Sequence, residues 1–334
     1  MPKAIGEEDL SQIFLGMSSK KEKPLSAASI KSYISKLNRI SMMMTKKPFE
    51  NYNFLLEPED VINEIDKSPL KSKKDYYAAI SKYLKFKNVD TKILNAYSKA
   101  MNTSKESEKL IRNDNLAKPE DIKKTNNMSL KDIQSKIKNY SIMDDKGIID
   151  DNKLINKLIT SFYFMNFENG LPILVPRNDL IDIKLVSSMK AKKPLSPEYN
   201  YLVMDGYMPT KIIMNKYKTN ATYGKQSFKI SPELTNILKE YIKEYKKQNG
   251  DYLFLMRDNK PFKSNNFSNI IELAMKDVLN TPIGIDLIRQ IVLSNVYNSN
   301  PLMSINEKEQ VARALLHSPN VSQEYLRKDL IKKE

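Results

Sequence analysis

This chain has few types of reactive side chain, because its 334 residues include one histidine, His317, and no cysteine. Most metal-dependent and triad mechanisms draw on histidine or thiolate groups that are missing here. The chemistry that remains uses arginine, lysine, one imidazole and a tyrosine. Arg177, Lys218, Arg289, His317 and Tyr325 are of the types that phosphoryl transfer by a tyrosine nucleophile would use.

Breaking a phosphodiester with a tyrosine places several demands on a site. The phenol must lose its proton, although the pKa of a free phenol is about 10. The non-bridging oxygens gain charge and need fixed donors, which arginine supplies as a bidentate and permanently charged fork. The departing 5′ oxygen needs an acid, which lysine or histidine can supply. A covalent phosphotyrosine stores the bond energy, so this reaction needs no nucleotide cofactor.

The overall charge predicts a polyanionic partner. An excess of 55 Lys and Arg over 40 Asp and Glu gives a formal net charge of +15, which favours fast, salt-sensitive association with nucleic acid. A lysine-rich proteome that biases every surface is the alternative explanation. The eight glycines all lie at least ten residues apart, so neither a G-x-G-x-x-G fingerprint nor a P-loop can be written. We therefore expect nucleic acid as the partner, and neither a cofactor nor a metal.

Nothing in the sequence predicts a membrane or secreted protein. Residues 1–12 are polar and acidic where a signal peptide needs an apolar run. The most apolar stretch, around Leu171–Val175, is too short to span a bilayer. We expect an intracellular protein, in the cytoplasm, nucleus or viral factory where its DNA lies. The Lys, Asn and Ile usage suggests an AT-rich genome, which many mobile elements share.

The first part of the chain predicts a helical bundle. Residues 1–25 are interpreted as a flexible leader that ends in a lysine-rich stretch. Residues 26–112 repeat apolar positions at i, i+3, i+4 and i+7, which is typical of amphipathic helices with one buried face. The four stripes are Ile30, Tyr33, Ile34 and Leu37; Val61, Ile62 and Ile65; Tyr76, Ile80, Tyr83 and Leu84; and Ile93, Leu94, Tyr97 and Met101.

The second part predicts a mixed domain. Residues 113–128 are polar and favour an interdomain linker, the alternative being a solvated helix and loop inside one larger domain. Within 129–334, a buried helix is expected over Leu154–Met165, short strands over 199–231, and a central helix over 284–297 that carries Arg289. Asn306 and Glu309 resemble a capping pair for a last helix that stops near Ser318. The expected fold class is mainly α with a small antiparallel β-sheet (α+β).

Several of these segments resemble successive motifs of the tyrosine recombinase, or phage-integrase-like, family: VPRNDLIDIKLV, NKYKTNATYGKQSFKIS, IGIDLIRQIV and ALLHSPNVSQEYL. The resemblance covers roughly residues 130–330. It implies a SAM-like, core-binding helical domain before the catalytic domain, and a site-specific recombinase or integrase of a virus or mobile element. Such enzymes cleave and rejoin double-stranded DNA through a 3′-phosphotyrosyl intermediate and work as tetramers on paired sites.

The resemblance also implies a role for each reactive residue. Arg177 and Arg289 would hold the scissile phosphate and His317 would assist them. Lys218, which we expect on a β-hairpin, would protonate the leaving oxygen, and Tyr325 would attack. The candidate DNA-binding residues are Lys31, Lys82, Lys85, Lys216 and Lys225.

The chain departs from the family pattern beside both arginines. Asp286 stands where an H-x-x-R motif has histidine, and an anion cannot copy an imidazole next to a phosphate. Leu180 occupies the family's acidic position after the first arginine. We expect neither of its neighbours, Asp179 and Asp182, to be catalytic.

The closing motif departs as well. Leu316 replaces the glycine of Leu-Gly-His, and the spacing of eight from His317 to Tyr325 is one residue shorter than usual. A one-residue change rotates a helical side chain by about 100° unless a loop absorbs it.

These departures leave alternatives open. A type IB topoisomerase would use the same chemistry without pairing two sites, and a DNA-binding protein with the recombinase fold would have lost cleavage. The acid could be a lysine other than Lys218, namely Lys216, Lys225 or Lys229. The pairs Asp144-Asp145 and Asp150-Asp151 could belong to a carboxylate-metal nuclease, or to a solvated loop.

Overall fold

The chain divides into two compact units, Met1–Asp114 and Asn115–Glu334. The computed structural model describes residues 7–16, 25–113, 116–126, 128–255, 260–262, 264–327 and 329–330. Helices predominate, and the strands form one antiparallel hairpin and one mixed sheet, so the predicted α+β class is confirmed. None of the helices in these ranges is long and apolar enough to cross a membrane.

The first unit is a helical bundle. Its helices are α1 Glu7–Leu15, α2 Ala27–Thr45, α3 Pro58–Ile65, α4 Leu70–Phe86 and α5 Thr91–Asn113, with a 3₁₀ turn at Asn53–Leu56. The predicted apolar stripes face one core, in which Tyr76, Tyr83 and Tyr97 are fully buried. Ser26 caps α2 by accepting a hydrogen bond from the Ser29 amide at 3.2 Å.

Two expectations about the connecting segments need correction. Residues 7–15 of the expected leader form α1, because Leu10 and Phe14 lie one helical turn apart and both are buried. The remaining leader residues, 1–6 and 17–24, lie outside the described ranges. In the expected linker, Pro119 opens helix α6, Pro119–Thr125, and Ala117 is buried in the core of the second unit.

The second unit contains the remaining elements. Its helices are α6, α7 Leu130–Asn139, α8 Asp151–Phe164, the short α9 Asn220–Tyr223, α10 Pro232–Glu244, α11 Ser264–Leu279, α12 Ile285–Ser299, α13 Ile305–Ala314 and α14 Pro319–Gln323. Helix α8 buries residues on several faces, from Leu154 to Phe164, as its composition predicts. Helix α12 also buries most of its residues, including Arg289.

The strands of the second unit form a two-stranded hairpin and a four-stranded sheet. The hairpin pairs β1 Phe167–Glu168 with β2 Leu171–Pro172. The four-stranded sheet has the order β3-β4-β5-β6, with β3 Ile183–Ser187, β4 Asn200–Asp205, β5 Met208–Met214 and β6 Gln226–Lys229. Strands β3 and β4 are parallel and the other pairs antiparallel, so this sheet is mixed and not purely antiparallel as expected. Strand β3 of this sheet and both strands of the hairpin lie outside the predicted range 199–231.

The end of the chain corrects one more boundary. Ser304 and Glu307 form the capping box of α13, two residues before the expected pair Asn306 and Glu309. Helix α13 ends at Ala314 and not near Ser318, which caps the separate helix α14. Helices α13 and α14 return the chain to α12, so that Tyr325 contacts Arg289 and His317.

Candidate active site

The five predicted residues come from five separate places in the second unit. Arg177 precedes the 3₁₀ turn Asn178–Asp182, Lys218 lies between β5 and β6, Arg289 is on α12, His317 follows α13, and Tyr325 follows α14. Arg177, Arg289 and His317 each contact Tyr325, and Lys218 lies close enough to His317 to affect its ionisation. Residues separated by up to 148 positions in the sequence therefore share one site.

Arg289 forms the floor of this site. Its side chain is fully buried on α12, where burial lowers its pKa to about 10, so it stays charged at neutral pH. Its Nη1 donates to the carbonyl of Val175 at 2.9 Å, and its Nη2 donates to the carbonyl of Leu315 at 2.8 Å. One guanidinium thus joins the segment that precedes Arg177 to the segment that precedes His317. Its Nε has no partner among the described residues.

Tyr325 lies among the charged groups. Arg177 donates a hydrogen bond from Nη2 to the phenol oxygen at 3.4 Å. The guanidinium carbon of Arg289 is 5.0 Å from the centre of the phenol ring, at the distance of a cation–π contact. The ring of His317 meets the same ring edge-on, with centroids 5.6 Å apart. Tyr325 remains half-buried in the turn after α14, and this turn accommodates the short spacing from His317.

His317 is held as a neutral imidazole. Burial, together with the positive charges of Arg289, Arg177 and Lys218, lowers its pKa to about 3. Its Nε2 is buried without a partner in the described part of the chain. A neutral imidazole can offer one N–H donor, so the group supplies a hydrogen bond and no charge.

Leu316 adopts a backbone conformation that glycine more often supplies. Its φ of 58° is left-handed, the conformation that glycine commonly provides after a helix. The amide of His317 donates to Ala312 at 3.0 Å and the amide of Leu316 donates to Arg313 at 2.9 Å, which together make a Schellman motif. The Leu316 side chain is buried, and this burial offsets the strain of its backbone.

Two further contacts fix Arg177. Its amide donates to Oδ2 of Asp179 at 3.0 Å, and its carbonyl accepts from the hydroxyl of Tyr163 at 3.1 Å. Burial raises the pKa of Asp179, while the charges of Arg177 and Arg289 act in the opposite direction. Tyr163 is fully buried, and burial raises its pKa as well. Tyr163 was not among the predicted site residues, because only its position on the buried helix α8 marks it in the sequence.

The acidic residues singled out in the sequence have local roles. Asp286 is exposed in the first turn of α12, where a carboxylate interacts favourably with the helix N-terminus. Asp182 pairs with Lys216 at 3.1 Å. Asp144 accepts backbone hydrogen bonds within its own turn and Asp150 caps α8. Among the described residues, no group of three or more acidic or histidine side chains could hold a metal ion.

The lysines differ in their surroundings. Lys218 is exposed and its charge acts on His317, whereas Lys216 is engaged with Asp182 and Lys229 lies 3.6 Å from Glu168. Lys225 is exposed just before β6. In the first unit, Lys31 on α2 and Lys85 on α4 are exposed, and Lys82 on α4 is half-buried.

Comparisons with known proteins add little to this geometry. No protein-family model and no curated protein matches this chain. Among solved structures, the chain is similar to the crystal structure of XerA recombinase, with a TM-score of 0.36 and 13% sequence identity over 97% of this chain and 96% of that one. A likeness at this level assigns nothing to this chain, so its function is argued from the site alone.

Proposed function

We propose that this chain breaks and rejoins DNA strands, with Tyr325 as nucleophile and a 3′-phosphotyrosyl intermediate. The observation that carries the proposal is the contact of Tyr325 with three nitrogen-bearing side chains, Arg177, Arg289 and His317. Two of these side chains have a buried nitrogen that finds no partner in the described ranges of the chain, Nε of Arg289 and Nε2 of His317. Buried polar groups are normally satisfied, so such atoms suit a ligand that brings acceptors.

A phosphodiester is the ligand that fits these groups. Its non-bridging oxygens accept several hydrogen bonds and carry a negative charge, which matches two guanidinium groups. Arg289 is already bound to two carbonyls, so Arg177 has the larger free capacity for the phosphate. The neutral His317 adds a donor without increasing the repulsion among the cations.

The proposed reaction uses each group once. The phenol of Tyr325 loses its proton to solvent and its oxygen attacks phosphorus. The bond between phosphorus and the 5′ oxygen breaks, and Lys218 gives its proton to that oxygen. Arg177, Arg289 and His317 stabilise the charge that develops on the non-bridging oxygens. Attack by a 5′-hydroxyl reverses these steps and rejoins the strand.

The lysines outside the site support binding to double-stranded DNA. Lys31 and Lys85 in one unit and Lys225 in the other are exposed, and the chain carries a net charge of +15. Contacts from these lysines to phosphates would give an affinity that falls steeply with salt. We include Lys82 and Lys216 in this proposal, and we propose a tetramer on paired sites as the working assembly.

Two other functions use the same site. A type IB topoisomerase would relax supercoiled plasmid as a monomer and would form no recombinant product. A DNA-binding protein without cleavage is favoured by the carboxylate of Asp286 on the first turn of the helix that carries Arg289. It would bind DNA in a salt-sensitive manner and would form no covalent adduct.

Trapping on a nicked suicide DNA tests the proposal. After cleavage the short 5′ fragment diffuses away, so the covalent adduct accumulates and can be separated on a denaturing gel. We expect an adduct with the wild-type chain and none with Tyr325→Phe. Tyr223→Phe, at an exposed tyrosine of the same unit, is the matched control and keeps the adduct. An equal adduct with Tyr325→Phe refutes the proposal.

A further inference from the structure

The exposed Lys218 is carried by a chain segment that is fixed on one side by a buried amide. Asn200, the first residue of β4, is fully buried. Its Nδ2 donates to the carbonyls of Asp179 and Lys216, both at 2.9 Å. Its Oδ1 accepts from the amides of Asn215 at 2.9 Å and Lys216 at 2.8 Å. One side chain therefore joins the turn after Arg177 to the residues just before Lys218.

The same segment is fixed on its other side by a hydroxyl. Thr219 Oγ1 donates to the carbonyl of Leu316 at 2.6 Å. Leu316 directly precedes His317, so this bond connects the Lys218 segment to the histidine. Tyr217 adds a third restraint within the segment, because its hydroxyl donates to the carbonyl of Gly224 at 2.6 Å.

These bonds oppose an electrostatic force. Lys218 is a cation whose charge reaches the imidazole of His317, as do the charges of Arg289 and Arg177. Two arginines repel a third cation, and an exposed lysine on an unrestrained loop would turn away into solvent. Hydrogen bonds on both sides keep the backbone of Lys218 close to the site in spite of this repulsion.

We propose that Asn200 and Thr219 are positioning residues that hold Lys218 beside the leaving oxygen. This inference rests on the proposed function, in which Lys218 is the acid. The two side chains bond to the backbone on either side of Lys218, and the proposal gives them no direct part in the chemistry.

The test compares two leaving groups. Cleavage is measured with an ordinary 5′ oxygen and with sulfur in the 5′ bridging position, because a thiolate leaves without a proton. For Thr219→Val we expect a rate that is about 10- to 100-fold lower on the oxygen substrate, since a positioned acid contributes about 10²–10⁴-fold. On the sulfur substrate we expect a change of less than about threefold. Lys218→Ala gives the same pattern with a larger loss.

The controls separate positioning from a general structural effect. Thr219→Ser keeps the hydroxyl and the wild-type rates. Thr222→Val, at an exposed threonine of the same connection, also leaves both rates unchanged. Adding Thr219→Val to Lys218→Ala causes no further loss on the oxygen substrate, because the acid is already missing. Asn200→Asp repeats the Thr219→Val pattern if it folds, and Thr219→Val decides the matter if it does not.

The possible failures are distinct. An equal loss on both substrates with Thr219→Val, or no loss on either, overturns the positioning roles and leaves the proposed function intact. A wild-type chain that forms no adduct on either substrate refutes the proposed function, and the positioning roles with it.

Discussion

The imidazole of His317 should stay neutral from pH 8 down to pH 5. Its pKa is lowered to about 3 by burial and by the charges of Arg289, Arg177 and Lys218, whereas an ordinary histidine titrates near 6.5. The side chain is only 7% exposed, so solvent screens this effect little. A neutral His317 is also what the proposed site requires, because a third fixed cation would repel Arg177 and Arg289.

The sign and size of the effect on stability follow from the two pKa values. The folded-state pKa lies below the unfolded-state pKa, so the unfolded chain binds the proton more tightly. The stabilising contribution of the neutral imidazole is fully present above pH 6.5 and is lost as the pH falls toward 3. Each pH unit within that window costs about 1.4 kcal/mol, so lowering the pH from 7.5 to 5 removes about 2 kcal/mol of unfolding free energy.

Nuclear magnetic resonance can measure this directly, because the chain has one histidine and therefore one pair of imidazole nitrogen signals. We expect the signals of the neutral form to persist from pH 8 to pH 5. In urea unfolding, the stability difference between wild type and His317→Gln should shrink by about 2 kcal/mol over the same range. A titration midpoint between pH 6 and 7, with parallel pH profiles for the two proteins, would show that the described surroundings of His317 are wrong.

Three substitutions test how the site is held together. Leu316→Gly removes about 3 kcal/mol of stabilisation by side-chain burial and relieves about 1 kcal/mol of backbone strain. Urea unfolding should therefore show an unfolding free energy that is about 2 kcal/mol lower; a more stable variant contradicts this balance. Asn200→Ala leaves several buried backbone groups without partners and should lower the unfolding free energy by about 3 kcal/mol or more; an unchanged midpoint argues against the four hydrogen bonds. Arg289→Lys cannot reach both carbonyls with one ammonium, so we expect a lower melting temperature and a cleavage rate reduced by about 10²-fold; wild-type values for both would contradict its role as the floor of the site.

The helices were predictable because apolar residues repeat at helical spacing in α2 and α4 and cover most faces of α8. Strand β3 was not predicted, since five residues beside a 3₁₀ turn leave too short a pattern. The capping box of Ser304 and Glu307 is visible in the sequence, but a second pair two residues later matches the same template. Helix α1 was not predicted, because the two buried residues Leu10 and Phe14 stand in a charged segment and give only a weak apolar pattern.

The sequence predicts which residues the candidate site contains, and not their geometry. A sequence motif cannot reveal that Arg289 bonds to two backbone carbonyls, or that Leu316 adopts a left-handed conformation. The role of Asn200 was also hidden, because its four hydrogen bonds link residues 179, 215 and 216, which only the folded sheet brings together. Long-range backbone contacts of this kind carry no local signature.

The most direct test of the central claim is to identify the residue that becomes linked to DNA. Trypsin should release the segment Ala314–Arg327, which contains both His317 and Tyr325. After trapping on the nicked substrate and nuclease trimming, mass spectrometry should find a nucleotide joined to Tyr325 through its 3′-phosphate. A chain that binds this DNA but carries no nucleotide, or carries it on another residue, would contradict the account.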